Sequence, residues 1–351
     1  MKKLLLVLFV ASVLFVLSVA SSANVFNLGQ GLTNLETVTV GDPGNQGELS
    51  GISAGGYGPD RICGAVDYIY NIGKYEVTAG QYCDFLNHVA ASDAYGLYNA
   101  SMWSDYGGCK IQRSGSPGSY TYSVASDRAN RPVNYVSFWD SCRFANWLHN
   151  GQPAGPQNAS TTEDGVYLIN GYSNIVGWWI ERKAHWMWAV TREDEWYKAA
   201  YYKGGMSNAY WDYPTQSNTV PGRDLADASG NNANYYTSGH LIGSPYYRTE
   251  VGEFHNSYSY YGTFDQAGNI AEWNESIVHQ EYNCDYRGLR GGSYGTYSIE
   301  LCADCRYHYS WPSTEERYSG FRVVQAVPEP SSLMILAGGI GMLLGIRRRN
   351  G

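Results

Sequence analysis

Two uninterrupted apolar runs, residues 4–19 and 333–346, sit at opposite ends of this 351-residue chain. They confine any folded core to the roughly 300 residues between them, enough for one large domain or two small ones. The first run follows Lys2 and Lys3 and gives way to Ala20, Ser21, Ser22 and Ala23. That order of charge, apolar stretch and small residues is the pattern of a signal peptide, so residues 1–23 are set apart from the fold. The second run is followed by Arg347, Arg348 and Arg349. At about 1.5 Å per residue it covers only ~21 Å of a ~30 Å hydrocarbon core. Residues 327–351 therefore read as a tail with a short transmembrane helix and a cationic stop on the cytoplasmic side, an anchor suited to transient use.

What lies between must fold with 32 Tyr, 11 Trp and 41 Gly and with only 16% charged residues. Large aromatics and tight glycine turns predict irregular, loop-rich structure. Without the two termini the chain holds 19 basic and 31 acidic residues, a surface that repels nucleic acid and anionic lipid. The seven cysteines, Cys63, Cys83, Cys109, Cys142, Cys284, Cys302 and Cys305, are an odd number. Export would permit disulfides, but at least one thiol must stay unpaired or pair between chains.

No fixed-period repeat is present, which argues against a solenoid or propeller. Residues 24–64 are rich in Gly, Asn and Ser and read as an N-terminal lead-in of turns with one strand at 36–40. A strand is predicted over 68–77. Thr78 then caps a helix to about Val89, burying Tyr82, Phe85, Leu86 and Val89. Residues 92–129 read as a long loop with short strands. Ser137 caps a second helix in which Phe138, Cys142, Ala145 and Leu148 recur at helical spacing, and Thr191 caps a third. Few helices among many short strands make residues 65–326 an α+β domain.

Five segments stand in order along that domain. They are Lys74-Tyr75-Glu76-Val77-Thr78, Arg131-Pro132-Val133-Asn134, Thr191-Arg192-Glu193-Asp194-Glu195-Trp196, Gly268-Asn269-Ile270-Ala271-Glu272-Trp273, and Arg290-Gly291-Gly292-Ser293-Tyr294 with the closing Gly320-Phe321-Arg322. Together they resemble the formylglycine-generating enzyme, or sulfatase-modifying factor, family. The resemblance implies an elaborated C-type-lectin-like α+β fold with little regular secondary structure. The tail, Val327-Pro328-Glu329-Pro330 followed by the apolar run and arginines, resembles the Pro-Glu-Pro sorting signal (PEP-CTERM) recognised by bacterial exosortases. It implies export, inner-membrane anchoring and delivery to the cell envelope, surface or extracellular layer, with the sorting machinery as partner.

In that family two cysteine thiolates hold copper(I), which activates dioxygen to oxidise a substrate cysteine; soft thiolates suit that ion. Counted without gaps from Ser293, the pair would fall at Thr296 and Leu301. Cys302 lies one residue beyond the second position, and moving the register by one places Tyr297 at the first. Cys305 is the substitute ligand, although a Cys302-Ala303-Asp304-Cys305 pair in an exported protein reads more readily as a small disulfide. Ser293 is retained, Arg306 lies nearby in sequence, and the family's tryptophan before Glu-Trp is replaced by Ala271. A structural calcium site is implied at Asp265, the carbonyls of Gly268 and Ile270, and Glu272, hard oxygen donors suited to that ion. With one thiol and the tryptophan missing, the expectation is a catalytically degraded binding or structural module with a polysaccharide or protein ligand. The alternative is a copper-dependent oxidase acting on a protein cysteine. Elsewhere, Trp186 and Trp188 read as strand core. The carboxylates of Glu193, Asp194 and Glu195 read as ordinary matching of a helix dipole. Tyr258, Tyr260 and Tyr261 either line a cleft or stiffen an exposed loop.

Overall fold

The computed structural model describes residues 34–172, 180–205, 209–281, 284–306 and 309–327. The expected signal peptide and anchoring tail lie outside those residues, and among the described residues no helix is long and apolar enough to cross a membrane. Strands β1 (Thr37–Val40), β2 (Glu48–Ser50), β3 (Arg61–Cys63) and β4 (Tyr70–Gly73) precede helix α1 (Ala79–Val89). A one-turn α2 (Ser101–Ser104), a hairpin of β5 (Ile111–Ser114) and β6 (Thr121–Val124), and helix α3 (Phe138–His149) follow. Then come β7 (Trp188–Val190), α4 (Glu193–Tyr201), β8 (Ala271–Glu281), β9 (Cys284–Arg290), β10 (Tyr309–Ser310), β11 (Ser319–Phe321) and β12 (Val323–Ala326).

Two four-stranded sheets organise the chain. One runs β1-β4-β12-β7 and is antiparallel throughout; the other runs β10-β9-β8-β11, with only the β11–β8 pairing parallel. The last strands thus return to both sheets, so the chain's end closes the domain on its beginning. The first helix starts where the sequence places it. Thr78 Oγ1 accepts from the Gln81 amide at 3.2 Å while Gln81 returns its side-chain oxygen to the Thr78 amide at 3.0 Å. Ser137 and Asp140 make the same reciprocal pair at α3. Each such cap satisfies two amides that the helix itself cannot.

Between the helices the core is a stack of rings. Tyr82 and Phe85 of α1 meet Phe144 and Trp147 of α3, and Phe321 of β11 closes the group at 5.3 Å from Phe144. Trp188 is buried in β7 as expected, and Trp186, half-buried, lies under the Arg182 guanidinium at 4.3 Å.

Three readings change. The third helix begins one residue later than expected, with Arg192 as N-cap, because Glu195 reaches back to accept from the Arg192 amide at 2.7 Å. The carboxylates of that first turn do far more than match a dipole. Glu193 is buried between three guanidiniums, with Arg290 at 2.7 Å, Arg306 at 2.8 Å and Arg61 at 3.0 Å. Glu195 pairs with buried Arg182 at 2.7 Å. Residues 34–64 also prove integral to the domain: β1 pairs with β4, and the β2–β3 hairpin carries Arg61 to Glu193.

Burial alone would raise the Glu193 carboxyl, but Arg290, Arg306 and Arg61 overcome it and hold the group well below the usual carboxylate range. Removing one partner of a buried pair strands the other charges, typically at about 3–5 kcal/mol. Glu193→Gln is therefore expected to destabilise the fold by about that amount in urea unfolding at pH 7, whereas Glu36→Gln, which breaks an exposed pair with Lys74, should change it by ~1 kcal/mol or less. Because the folded carboxyl is depressed, its stabilisation is complete above the unfolded value and lost in acid, so the Glu193→Gln deficit should narrow as pH falls from 5 toward 2.

Candidate functional site

The segment from Asp265 to Glu272 makes a tight corner before and into β8. Asp265, Gly268 and Asn269 all have positive φ, near +61°, +78° and +58°. A Cβ on Gly268 would lie 2.2 Å from the Asn234 carbonyl oxygen, so only glycine fits. Asn269 knits the corner to three neighbours. Its amide donates to the Asn234 carbonyl at 2.8 Å, its Oδ1 accepts from the Thr249 amide at 3.0 Å, and its Nδ2 donates to Glu76 Oε1 at 3.2 Å.

Three carboxylates converge here. Glu272 is gripped by Arg322, whose Nε and Nη2 donate to its two oxygens at 2.5 and 2.6 Å, and by Trp196 Nε1 at 2.7 Å. Asp265 accepts from the Gly252 amide at 2.6 Å. Glu76, which the sequence reading passed over, is buried with Oε2 lacking any hydrogen-bond partner. Burial, then the charges of Asp265 and Glu272, push the Glu76 carboxyl well above its ordinary value against the pull of Arg322. Burial likewise lifts Asp265 to about 7. Three carboxylates thus share one guanidinium and leave one oxygen without a partner, although among the described residues no group of three or more His, Cys, Asp or Glu side chains is arranged to hold a metal ion. The signal was present in the sequence as Glu76 in the Lys74–Thr78 block, but nothing local tied it to residues almost two hundred positions away.

The copper ligand set fares differently. Cys302 is a buried free thiol whose Sγ–H donates to the Ile299 carbonyl at 3.1 Å, so the expected 302–305 disulfide is not formed in this structure. It ends a short 3-10 turn (Ser298–Leu301) and packs with Tyr213, Tyr235 and Leu301, where burial, with Cys305 and Asp304 adding negative charge, pushes it up to about 11. A copper ion binding there would have to displace both that proton and the hydrogen bond to Ile299. The surrounding loop is fixed by its backbone. Arg290 donates to the carbonyls of Ala303 and Cys305 at 3.0 and 2.7 Å, and Ser50 Oγ to Ala303 at 2.7 Å. Arg306, a candidate catalytic cation, is committed to Glu193 and to the Pro59 carbonyl. Ser293 is fully buried; its Oγ accepts from the Gly295 amide at 3.2 Å. The structure therefore assigns these residues structural partners, and the position before Glu272 holds only the methyl of Ala271.

Next to Ser293 the fold assembles a surface that the sequence did not show. Tyr294 is walled by Tyr318 at 5.2 Å and by Tyr247 and His240 at 5.7 Å each. Tyr106 packs on Tyr247 at 5.3 Å, and Tyr297 on Tyr236 at 5.4 Å. Tyr106 and Tyr297 are more than half exposed. By contrast, the Tyr258–Tyr261 group stiffens a loop: Tyr260 lies over Gly204, and Tyr261 donates to Asp42 at 2.9 Å.

Comparison with known proteins places this geometry. Residues 66–327 match the model of the sulfatase-modifying factor enzyme 1-like domain, and residues 326–349 match the PEP-CTERM protein-sorting motif. No curated protein matches the chain. Among solved structures it is similar to Treponema denticola variable protein 1, at 19% identity over 85% of this chain and 97% of that one, with a TM-score of 0.53. It is also similar to CarF, at 21% identity over 84% and 99%, with a TM-score of 0.50. At these identities the likeness is one of fold.

A thiol raised to about 11 by burial is predominantly neutral and shielded from reagents at physiological pH. Iodoacetamide at pH 7.5 should leave Cys302 unmodified in the native protein and label it fully after unfolding in urea, read by peptide mass; rapid native labelling would show an accessible thiolate instead.

Proposed function

The chain belongs to the family of proteins with a sulfatase-modifying factor enzyme 1-like domain and carries a PEP-CTERM protein-sorting motif, and from that premise we propose that it is an envelope-sorted binding module in which the family's scaffold is kept and its oxidase chemistry is not. The observation that carries this reading is Cys302. Its thiol is buried and hydrogen-bonded to a backbone carbonyl, burial pushes it up, and the gapless ligand positions hold Thr296 and Leu301. Arg306 is held by Glu193, and Ala271 removes the aromatic wall that the family pattern has there. The exposed rings of Tyr106 and Tyr297 beside Ser293 support a role in binding, since flat amphipathic faces supply contact area with little loss of side-chain freedom.

In this reading the sorting motif delivers the chain, by way of export and brief anchoring in the inner membrane, to the cell surface or extracellular layer, with exosortase as the processing partner. Calcium is the proposed structural ion. Asp265, the carbonyls of Gly268 and Ile270, and Glu272 would hold it, with Glu76 beside them as the carboxylate whose charge it relieves. When bound, the ion would offset the excess of carboxylates over Arg322 and stiffen a corner built from three left-handed residues.

Two outcomes test these statements. Supplied with copper, dioxygen and a cysteine-containing peptide, the purified protein should yield no aldehyde product by mass spectrometry; turnover would restore the oxidase reading. Calcium at about a hundredfold over its dissociation constant should raise the melting temperature by roughly 5 °C relative to chelator. Asp265→Asn should abolish most of that rise, and an unchanged response in the variant would remove Asp265 from the site.

A further inference from the structure

Beneath the aromatic surface lies a cation without a counter-ion. Arg248 is fully buried, and among the described residues no carboxylate pairs with it. Its Nη1 donates to the Gly107 carbonyl at 2.6 Å, but Nε and Nη2 have no hydrogen-bond partner. The Tyr294 hydroxyl, also buried, has none either. Both groups lie at one corner, beside Gly107. A Cβ on Gly107 would lie 3.1 Å from Tyr294 Oη, and the Arg248 guanidinium stands 5.9 Å from the Tyr294 ring. Asn134, whose Nδ2 donates to the same Gly107 carbonyl at 2.9 Å, helps to fix that wall.

The surroundings concentrate positive charge at this corner. Arg131 donates to the carbonyl of Arg248 itself, and Arg128 to that of Pro245 at 2.8 Å. Their guanidiniums sandwich Tyr246, at 4.3 and 4.4 Å from its ring. The acidic partners of these two arginines, Asp127 and Glu250, are about half exposed, so water screens them while Arg248 is not screened. The segment holding Arg248 is thus locked in place by its neighbours, and its guanidinium carbon stands 5.9 Å from the Tyr294 ring.

The edge left open is the Nε–Nη2 side of the guanidinium, the planar fork that takes both oxygens of a carboxylate. We propose that Arg248 and Tyr294 form a carboxylate-recognition site for an acidic sugar residue, whose ring would rest against the exposed tyrosines. Tyr294 lies one ring below the surface, behind Tyr247, Tyr318 and His240, of which His240 is exposed and the other two are half-buried or partly exposed. Rotation of one such ring opens the corner, a motion that surface side chains make readily. This inference rests on the binding-module reading and names its ligand class; that reading would fall to oxidase turnover, whereas this one falls on the identity of the sugar.

The test is isothermal titration of the purified protein with sodium glucuronate, glucose, sodium acetate and sodium sulfate. Glucuronate is expected to bind at least roughly tenfold more tightly than glucose, the discrimination typical of a hydrogen-bonded charge. Arg248→Met should bring that ratio to about one, and Tyr297→Ala should weaken both sugars while leaving acetate unchanged. Should Arg248→Met fail to fold, Tyr294→Phe, which removes only the unpartnered hydroxyl, should lower glucuronate affinity severalfold. The proposal is overturned if glucose binds as well as glucuronate, if sulfate binds more tightly than either, or if glucuronate preference survives in Arg248→Met or is untouched in Tyr294→Phe.

Discussion

The buried carboxylate of Glu193 is the point on which the rest of the structure depends. It sits at the start of α4 and draws in Arg290 from β9, Arg306 from the loop after the paired cysteines, and Arg61 from the β2–β3 hairpin. One acid thus joins four stretches that are remote in sequence. Arg290 passes the constraint on, since its remaining donors hold the carbonyls of Ala303 and Cys305 and reach the Ser50 hydroxyl. In a chain with short strands and long loops, ladder hydrogen bonds are few, and fixed charge pairs with multiple donors take over the work of defining loop positions.

The Glu272–Arg322 pair does the same through Trp196, also in the first turn of α4. Trp196, four residues along from Arg192, donates to Glu272, and Arg322 bonds in addition to the carbonyls of Gly73 and Phe264. The two hubs therefore share one helix, whose buried face carries Glu193, Glu195 and Trp196 within a single turn. This explains how α4 can be only nine residues long and yet be fixed in place. Isolated helices of that length are marginal, so its stability comes from what it grips.

Local features of the fold were legible because their causes are local. Thr78 with Gln81 and Ser137 with Asp140 are caps made within four residues, and the buried rings of Tyr82, Phe85 and Phe138 follow from helical spacing. Long-range partners were not legible. Nothing near Glu193 distinguishes a carboxylate that matches a helix dipole from one that binds three arginines, and Thr191 looked like the cap until Glu195 turned back to Arg192. In the lead-in, the strand at 36–40 was legible as β1, whereas the β2–β3 hairpin read as turns because it acquires meaning only from Glu193. The Asp265–Glu272 segment was readable as a motif, but Glu76 meets it only in three dimensions, through Asn269. The paired cysteines suggested a disulfide by spacing alone, a reading that ignored the carbonyls holding that loop open.

The residues that define the fold are largely distinct from those that would define oxidase chemistry, and this separation bears on how the scaffold can outlast a reaction. Glu193, Glu272, Arg322 and Gly268 are fully engaged in packing or pairing, and altering any of them strands a buried charge or forces backbone contact. A ligand thiol or an aromatic wall at the site makes no such connection; Leu301 and Ala271 stand at those positions without disturbing β8 or its pairing with β9. Chemistry can therefore be lost at little structural cost, while the rigid frame continues to present whatever rings its surface carries. Arg248 fits that logic. A buried guanidinium with an unsatisfied edge destabilises a domain, and the aromatic residues around it give no compensating charge. On the proposal above, a carboxylate arriving from outside would supply that charge.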